Sequence, residues 1–317
     1  MNTILFVDSL NLFIRCFAAF PSMTLNGAQV GGVVGFMKTL RGVCNDVRPT
    51  KIYVVWEGGG SRRRRSLYPE YKMSRRPQKL NRFYDSEDIP DTVENHQWQV
   101  ILLTRLFRNV PVIQIYVEDI EADDAIGYLA RYKHRDDRKI FLTSDKDYYQ
   151  LLDRKSIVYR PGRKEYVTFK SVKEEYGISC TNFALAKAVC GDPSDNIPGV
   201  QGCGFKTLAK RIPEFGNDDE MTIDFLLERC REQATKYAVL KRISESEEMI
   251  RRNWQLIYLD MAMLSASHVS AIDNAAAAQA QTQKIELMRS LMREGITDID
   301  VDSFLLSMAS VLFTPSE

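Results

Sequence analysis

Nine carboxylates fall where apolar runs end or where helices begin. The run Thr3–Val7 stops at Asp8, and the run Lys51–Trp56 stops at Glu57. A third run, Val110–Val117, leads into Glu121, Asp123 and Asp124, and a fourth, Lys139–Thr143, leads into Asp145 and Asp147. Asp192 and Asp195 follow later, at the entry to a glycine-rich turn. Any one of these is ordinary, since a helix dipole favours acids in the first turn. Gathered on one rim, however, they would repel one another. Hydrated divalent cations remove that repulsion, and oxygen ligands with a partly retained water shell are what Mg²⁺ takes. Two such ions about 3.5–4 Å apart can activate water and stabilise the leaving oxygen of a phosphodiester.

Cations stand beside the acids. Residues 62–76, RRRRSLYPEYKMSRR, carry seven cations against Glu70, with Tyr68 and Tyr71 interleaved. Most charge runs are solvated loops. Next to a metal-binding rim, Arg62, Arg63, Arg64, Arg65 and Arg76 suit a phosphate backbone, and cation plus aromatic is the composition of a single-strand or strand-end surface. The second basic feature is GDPSDNIPGVQGCGFKTLAKRI, Gly191–Ile212. No strand precedes its glycines, so a dinucleotide fingerprint is excluded. Gly199, Gly202 and Gly204 instead make a hairpin between two helices. Backbone N–H groups there, with Lys206 and Lys210, can grip a phosphate, while Asp192 and Asp195 can feed the metal cluster. A plain helix–turn–helix packing corner is the alternative.

The elements that must position these groups are legible as pattern. TILFVD, KIYVVWE, VPVIQIYV, KIFLTSD and SIVYR read as strands, separated by helices such as GVVGFMKTLRGVC, ENHQWQVILLTRLF and EADDAIGYLARY. Continuous apolar strands imply burial on both faces, so the expected fold is α/β, a mainly parallel central sheet flanked by helices. The carboxyl ends of the strands then share one rim, where such sheets bind ligands. In EADDAIGYLA, Ala122, Ala125, Ile126 and Leu129 have core-facing spacing, which leaves Glu121, Asp123 and Asp124 off the stripe. The expected division is a metal-binding core over 1–170 with an arch around 62–92, a helical DNA-binding region over 171–265, and a helical extension over 266–317. The run Asn274–Gln283 is helix-prone.

Bulk properties exclude rather than identify. The chain has 317 residues and a formal net charge of +1, so electrostatic arguments must be local. Six scattered cysteines and three isolated histidines argue against a zinc site or a disulfide framework and for a reducing compartment. Asp8 breaks the first apolar run and no basic segment precedes it, which argues against a signal peptide. No apolar stretch reaches the ~18 residues of a membrane helix. A cytoplasmic protein is expected.

Together the motifs resemble the 5′-nuclease superfamily of flap endonucleases, the 5′-nuclease domain of bacterial DNA polymerase I, and stand-alone phage enzymes. FVDSLNLFIR is similar to its opening FVDG-x-N-x-x-x-R, and VVWEGGGSRRRRSLYPEYKMSRR to VVFD-x-x-x-x-SFR…YK-x-x-R. EADDAIGYLA resembles the EADD helix, FLTSDKDYYQLL the T-x-DKD-x-x-QLL turn, and GDPSDNIPGVQGCGFKTLAK the helix–three-turn–helix; the matches run in order over roughly residues 3–260. The resemblance implies a helical arch and a first metal site at Asp8, Glu57, Glu121 and Asp123. Asp124, Asp145, Asp147, Asp192 and Asp195 would build or support a second site. Lys72 and Arg75 would steer the scissile phosphate, Arg15 would contact DNA, and Val200–Gly204 could hold K⁺. Mg²⁺, with Mn²⁺ as substitute, would serve a monomeric enzyme that cuts 5′ flaps, junctions, nicked or 5′-ended duplex and RNA–DNA hybrids. Three positions depart from the pattern: Glu57 replaces the family Asp, Arg62 stands at the Phe of SFR, and Ser9 replaces a glycine. A binder of branched DNA with impaired catalysis is the rival reading.

Overall fold

The computed structural model describes residues 2–73 and 92–312. Arg75 and Arg76, with most of the expected arch, lie outside the described residues.

Six strands form one sheet: β1 (Thr3–Asp8), β2 (Lys51–Trp56), β3 (Ile113–Tyr116), β4 (Arg138–Leu142), β5 (Ser156–Arg160) and β6 (Glu165–Thr168). Their order is β3-β2-β1-β4-β5-β6, parallel throughout except for β6. The chain builds outward from β1 through β2 to β3, then returns to place β4 on the other side of β1. This reversal puts the switch point between the carboxyl ends of β1 and β4, where an open parallel sheet forms its crevice. The antiparallel β6 extends the expected five strands; EYVT is too short and too exposed to show the buried-strand pattern.

Because successive side chains point to opposite faces, each apolar run feeds two cores. Ile4, Phe6, Tyr53, Val55, Ile115 and Phe141 face one layer, and Leu5, Val7, Ile52, Val54, Ile140 and Leu142 face the other. Among the described helices, α1 (Ser9–Ala19), α2 (Gly31–Val47), α3 (Arg62–Leu67), α4 (Thr92–Leu106), α5 (Ala122–Tyr128), α6 (Phe169–Tyr176) and α7 (Phe183–Cys190) come first. They are followed by α8 (Phe205–Arg211), α9 (Ile223–Glu232), α10 (Ala238–Glu245), α11 (Glu247–Ile257), α12 (Ala266–Ala276), α13 (Lys284–Arg293) and α14 (Val301–Leu306). Helices α5 to α12 cover the first face, while α1, α2, α4, α13 and α14 cover the second. Ala122, Ala125, Ile126 and Leu129 are all buried, as their spacing predicts.

The helix-prone run Asn274–Gln283 stays helical only to Ala276. Ile272 is buried on the first face and Leu287 on the second, so the chain must change layers between them. The Gln283 N–H donates to the Asn109 carbonyl at 3.1 Å, tying down the crossing. No described helix is long and apolar enough to cross a membrane.

Candidate metal centre and its cationic surround

At the switch point Asp8 ends β1 and caps α1, accepting from the Asn11 N–H at 3.3 Å. Its other oxygen accepts from the Thr143 hydroxyl at 3.1 Å and the Tyr148 phenol at 3.3 Å, which joins the ends of β1 and β4. Burial pushes the Asp8 carboxyl up despite these bonds. Glu57 follows β2, two residues past Val55, the register partner of Asp8, and is half-buried. The Tyr148 phenol shows how far the acids converge. Burial raises it well above its ordinary range, and so, in turn, do the charges of Asp8, Asp123, Asp145 and Glu57.

The helix start at α5 divides its acids between two tasks. Ser61 caps α3 through the Arg64 N–H at 3.1 Å, and that phase turns the Arg64 side chain inward, where it is 1% exposed. Its guanidinium grips both oxygens of Asp124 at 2.8 and 2.7 Å, reaches Glu121 at 3.0 Å, and donates to the Leu256 carbonyl at 2.8 Å. Asp124 also accepts from the Glu121 N–H at 3.1 Å. Arg64 therefore corrects the expectation that it contacts DNA: a guanidinium enclosed by carboxylates and a carbonyl cannot reach a phosphate. Asp124 is likewise committed to Arg64 rather than turned to the open rim. Asp123 differs, because its Oδ1 is buried, has no hydrogen-bond partner and lies 3.6 Å from Arg64. Burial raises the Asp123 carboxyl well above its usual range. Glu121 accepts from Tyr71 at 2.9 Å and Lys72 at 2.6 Å. Burial opposes its charge, but Arg64 and Lys72 prevail and hold its pKa low.

The remaining acids form a second group. Single oxygens of Asp147, Asp192 and Asp195 lie within 4.8 Å of one another. Asp145 caps the short helical turn Lys146–Leu151 through the Asp147 N–H at 2.9 Å. Asp192 accepts from the Ser194 N–H at 2.9 Å and its hydroxyl at 2.6 Å. The Lys72 ammonium, 2.6 Å from Glu121 and 3.8 Å from Asp195, bridges the two groups of acids. Its backbone is left-handed at φ 59°, and its N–H donates to the Asp195 carbonyl at 2.9 Å.

Sequence reasoning missed Lys187, which projects from α7 and pairs with Asp147 and, at 2.6 Å, with Asp192. Burial alone would lower its pKa, but Asp147, Asp192 and Asp145 raise it, so it stays charged. The available signal was a single lysine inside FALAKAVC, where a buried charge demands partners. Thr143 and Tyr148 were missed as well, while Tyr71, expected on the nucleic-acid surface, is instead buried and donates to Glu121.

The remaining cations are at the surface. Arg62 pairs with Asp119 at 3.2 Å, Arg63 donates to the Ala262 carbonyl at 2.8 Å, and Arg65 to the Gly59 carbonyl at 2.5 Å. Arg15 is exposed on α1 and lies against Gly162, where a Cβ would stand 1.9 Å from its Nη1. Gly202, Gly204, Lys206 and Lys210 are exposed at the hairpin, and Gly202 takes φ 75° in its turn. The Asn253 side chain donates to the Ala188 carbonyl at 2.9 Å and the Pro198 carbonyl at 2.7 Å, binding the hairpin to α7.

Residues 3–177 match the family model for the 5′-3′ exonuclease, N-terminal resolvase-like domain. The chain belongs to the 5′–3′ exonuclease family. It is 31% identical over 229 residues to DNA polymerase I of Caldicellulosiruptor bescii, covering 70% of this chain and 25% of that protein. It is 32% identical over 224 residues to DNA polymerase I of Bacillus subtilis, covering 68% and 24%. This family member thus spans about a quarter of the length of those relatives. Among solved structures it is similar to the T5 5′-exonuclease with bound zinc, at 20% identity and TM-score 0.65 over 90% of this chain and 98% of that one. The catalytic core of Rad2 in complex with DNA aligns at 14% identity and TM-score 0.53, over 97% and 92%. At these identities the two structures share the fold.

Proposed function

We propose that the chain is a metal-dependent, structure-specific 5′ nuclease that hydrolyses phosphodiesters of branched or 5′-ended DNA and of RNA–DNA hybrids. The carrying observation is the convergence of oxygen donors from separate strand ends at the switch point of a 5′–3′ exonuclease fold. The site fits hard divalent ions: its donors are carboxylates, three of them meet within 4.8 Å, and the buried Asp123 Oδ1 lacks a hydrogen bond. Asp8, Glu57, Glu121 and Asp123 would hold one ion, and Asp145, Asp147, Asp192 and Asp195 another, with Mg²⁺ favoured and Mn²⁺ as substitute. Such ions supply an activated water at neutral pH and offset charge on the leaving oxygen.

The chain's own groups do the positioning. Lys72, over the gap between the two acid groups, is placed to orient the scissile phosphate. Tyr71 holds the Glu121 carboxylate in place, and Thr143 with Tyr148 does the same for Asp8. Arg15, Arg62, Arg63, Arg65, Lys206 and Lys210 offer exposed charge to the phosphate backbone without reading sequence. We assign K⁺ to the carbonyls of the Val200–Gly204 turn and place the enzyme, as a monomer, in the cytoplasm.

The test is cleavage of an end-labelled 5′-flap DNA with and without Mg²⁺, beside Asp145→Ala. Metal-dependent cutting near the junction, lost in the variant, is expected. Tight binding without cutting, even with Mn²⁺, would leave a DNA-binding protein on a nuclease scaffold.

A further inference from the structure

At the end of the sheet opposite the acidic rim, a cavity of about 350 Å³ opens between the turn after α5, the start of β4 and residues 151–153. Lys139 in its wall is the register partner of Ile4, near the start of β1. Four residues of extended chain, about 13 Å, therefore separate it from Thr143 at the rim. We infer that this cavity binds the phosphate group of a small phosphate monoester, held by Arg131 and Arg135. The site is separate from the metal centre and goes beyond the nuclease reading.

Most of the charged groups in the wall are already satisfied. The Lys139 ammonium, 3% exposed, donates to the Asp153 carboxylate at 3.3 Å and to the His134 and Arg135 carbonyls at 3.4 and 3.1 Å. Asp153 also accepts from the Lys155 N–H at 2.7 Å and from the Ser156 hydroxyl. Asp260 accepts from the Tyr132 phenol at 2.7 Å and the Ala262 N–H at 3.4 Å. The two arginines differ. Arg131 reaches the Gln150 carbonyl at 3.4 Å and lies over the Tyr258 ring at 5.2 Å, but its buried Nε–H has no hydrogen-bond partner. Arg135 is exposed, and its side chain makes no hydrogen bond or ion pair among the described residues.

A buried donor left unpaired is costly, so the Arg131 Nε–H needs an acceptor that the chain does not supply. The backbone here is irregular as well. Leu129–Lys133 is a π-helical turn, closed by the His134 N–H on the Leu129 carbonyl at 2.9 Å, and single π turns recur at functional sites. Arg131 and Arg135 line the cavity from this turn and the residues just after it. With Lys139 and Asp153 cancelling, two guanidiniums stand against the single carboxylate of Asp260, which favours an anion. Guanidinium N–H groups match phosphate oxygens in pairs, and the near-double charge of a phosphate monoester at neutral pH suits two of them. The volume is at the low end of the roughly 300–1,000 Å³ of small-molecule sites, enough for a mononucleotide-sized ligand and too small for a duplex. Asp260 is left as an acceptor for a hydroxyl on the same ligand.

The experiment is titration calorimetry of the full chain with thymidine 5′-monophosphate in EDTA, which prevents capture of the phosphate through a divalent ion at the acidic rim. Wild type should bind one molecule per chain, and Arg131→Gln and Arg135→Gln should each weaken that binding about tenfold. Thymidine, which lacks the phosphate, should not bind. Because the Arg135 side chain bonds to nothing in the chain, its variant tests the site without disturbing the fold. Competition by a 5′-phosphorylated oligonucleotide would trace the phosphate to a strand end, and competition by inorganic phosphate alone would trace it to a free anion. No binding at millimolar concentration, equal binding by both variants, or equal binding of thymidine overturns the inference and leaves the nuclease reading standing. Binding of the monophosphate through both arginines by a protein that never cuts flaps overturns the nuclease reading alone.

Discussion

Two of the cations that neutralise the acids of this site, Arg64 and Lys187, do so in different ways. Arg64 meets Asp124 through a two-pronged contact and fills its remaining reach with Glu121 and a carbonyl. A guanidinium keeps its charge at any working pH and its planar fork fits a carboxylate bidentately, so this contact is a permanent part of the scaffold. Lys187 meets Asp147 and Asp192 through a single ammonium on a flexible stem. A point charge at the end of a mobile chain can yield its carboxylates to a metal ion. On the proposed reading the contrast gives acids of one type different roles: Asp124 is a strut, and the Asp147–Asp192–Asp195 triad is a receptor.

Replacing a receptor acid should have the largest effect. Asp195→Asn is expected to slow Mg²⁺-dependent flap cleavage about a thousandfold, the several kcal/mol that a metal's charge stabilisation supplies, with circular dichroism unchanged. A loss below tenfold would show that the triad is not the working site. Arg64→Ala is expected to destabilise the fold by about 3–5 kcal/mol in urea unfolding, since it leaves buried carboxylates unpaired. Unchanged stability with weakened DNA binding would return Arg64 to the DNA surface. Lys187→Met sharpens the comparison. The metal-free protein should lose about 2 kcal/mol, and saturating Mg²⁺ should restore most of it, whereas Mg²⁺ should not rescue Arg64→Ala.

A pH series tests the same asymmetry. Burial raises the carboxyls of Asp8, Asp123, Asp145 and Asp147. Groups raised on folding favour the folded state when protonated, and that advantage fades as pH climbs from the ordinary carboxylate range, about 4, through their folded values. Metal binding takes the deprotonated form. Mg²⁺ should therefore raise Tm more at pH 7.5 than at pH 5.5, and an equal shift at both would count against it. The smallest effect is at the surface: Lys206→Gln should lower the salt dependence of duplex binding by about 0.9 in log–log slope.

The parts of this architecture legible in sequence are those whose signal is local. Strand ends are marked by apolar runs stopping at acids, which is why the rim is legible in the sequence. Arg64 could not, because in four consecutive arginines only the phase set by the Ser61 cap decides which one turns inward. The resemblance to the family motif put the aromatic position at Arg62, which is solvent-exposed, while the interior place two residues on is taken by a cation. Lys187 was hidden for the opposite reason: its helix reads as core, and its charge is explained by acids some 40 residues upstream and five downstream. The β6 strand and the early end of α12 depend on sheet edges and layer crossings, which no short window contains.

The Asn253 clamp has a consequence for where such an enzyme cuts. It fastens the exposed hairpin to the helix that carries Lys187, and only four residues separate Asp195 from the start of the Val200–Gly204 turn. On the proposed reading, grip and blade are mounted on one short rigid arm. The product length is then measured by a ruler built into the chain, and an insertion between Asp195 and Val200 would move the cut by whole nucleotides instead of blurring it.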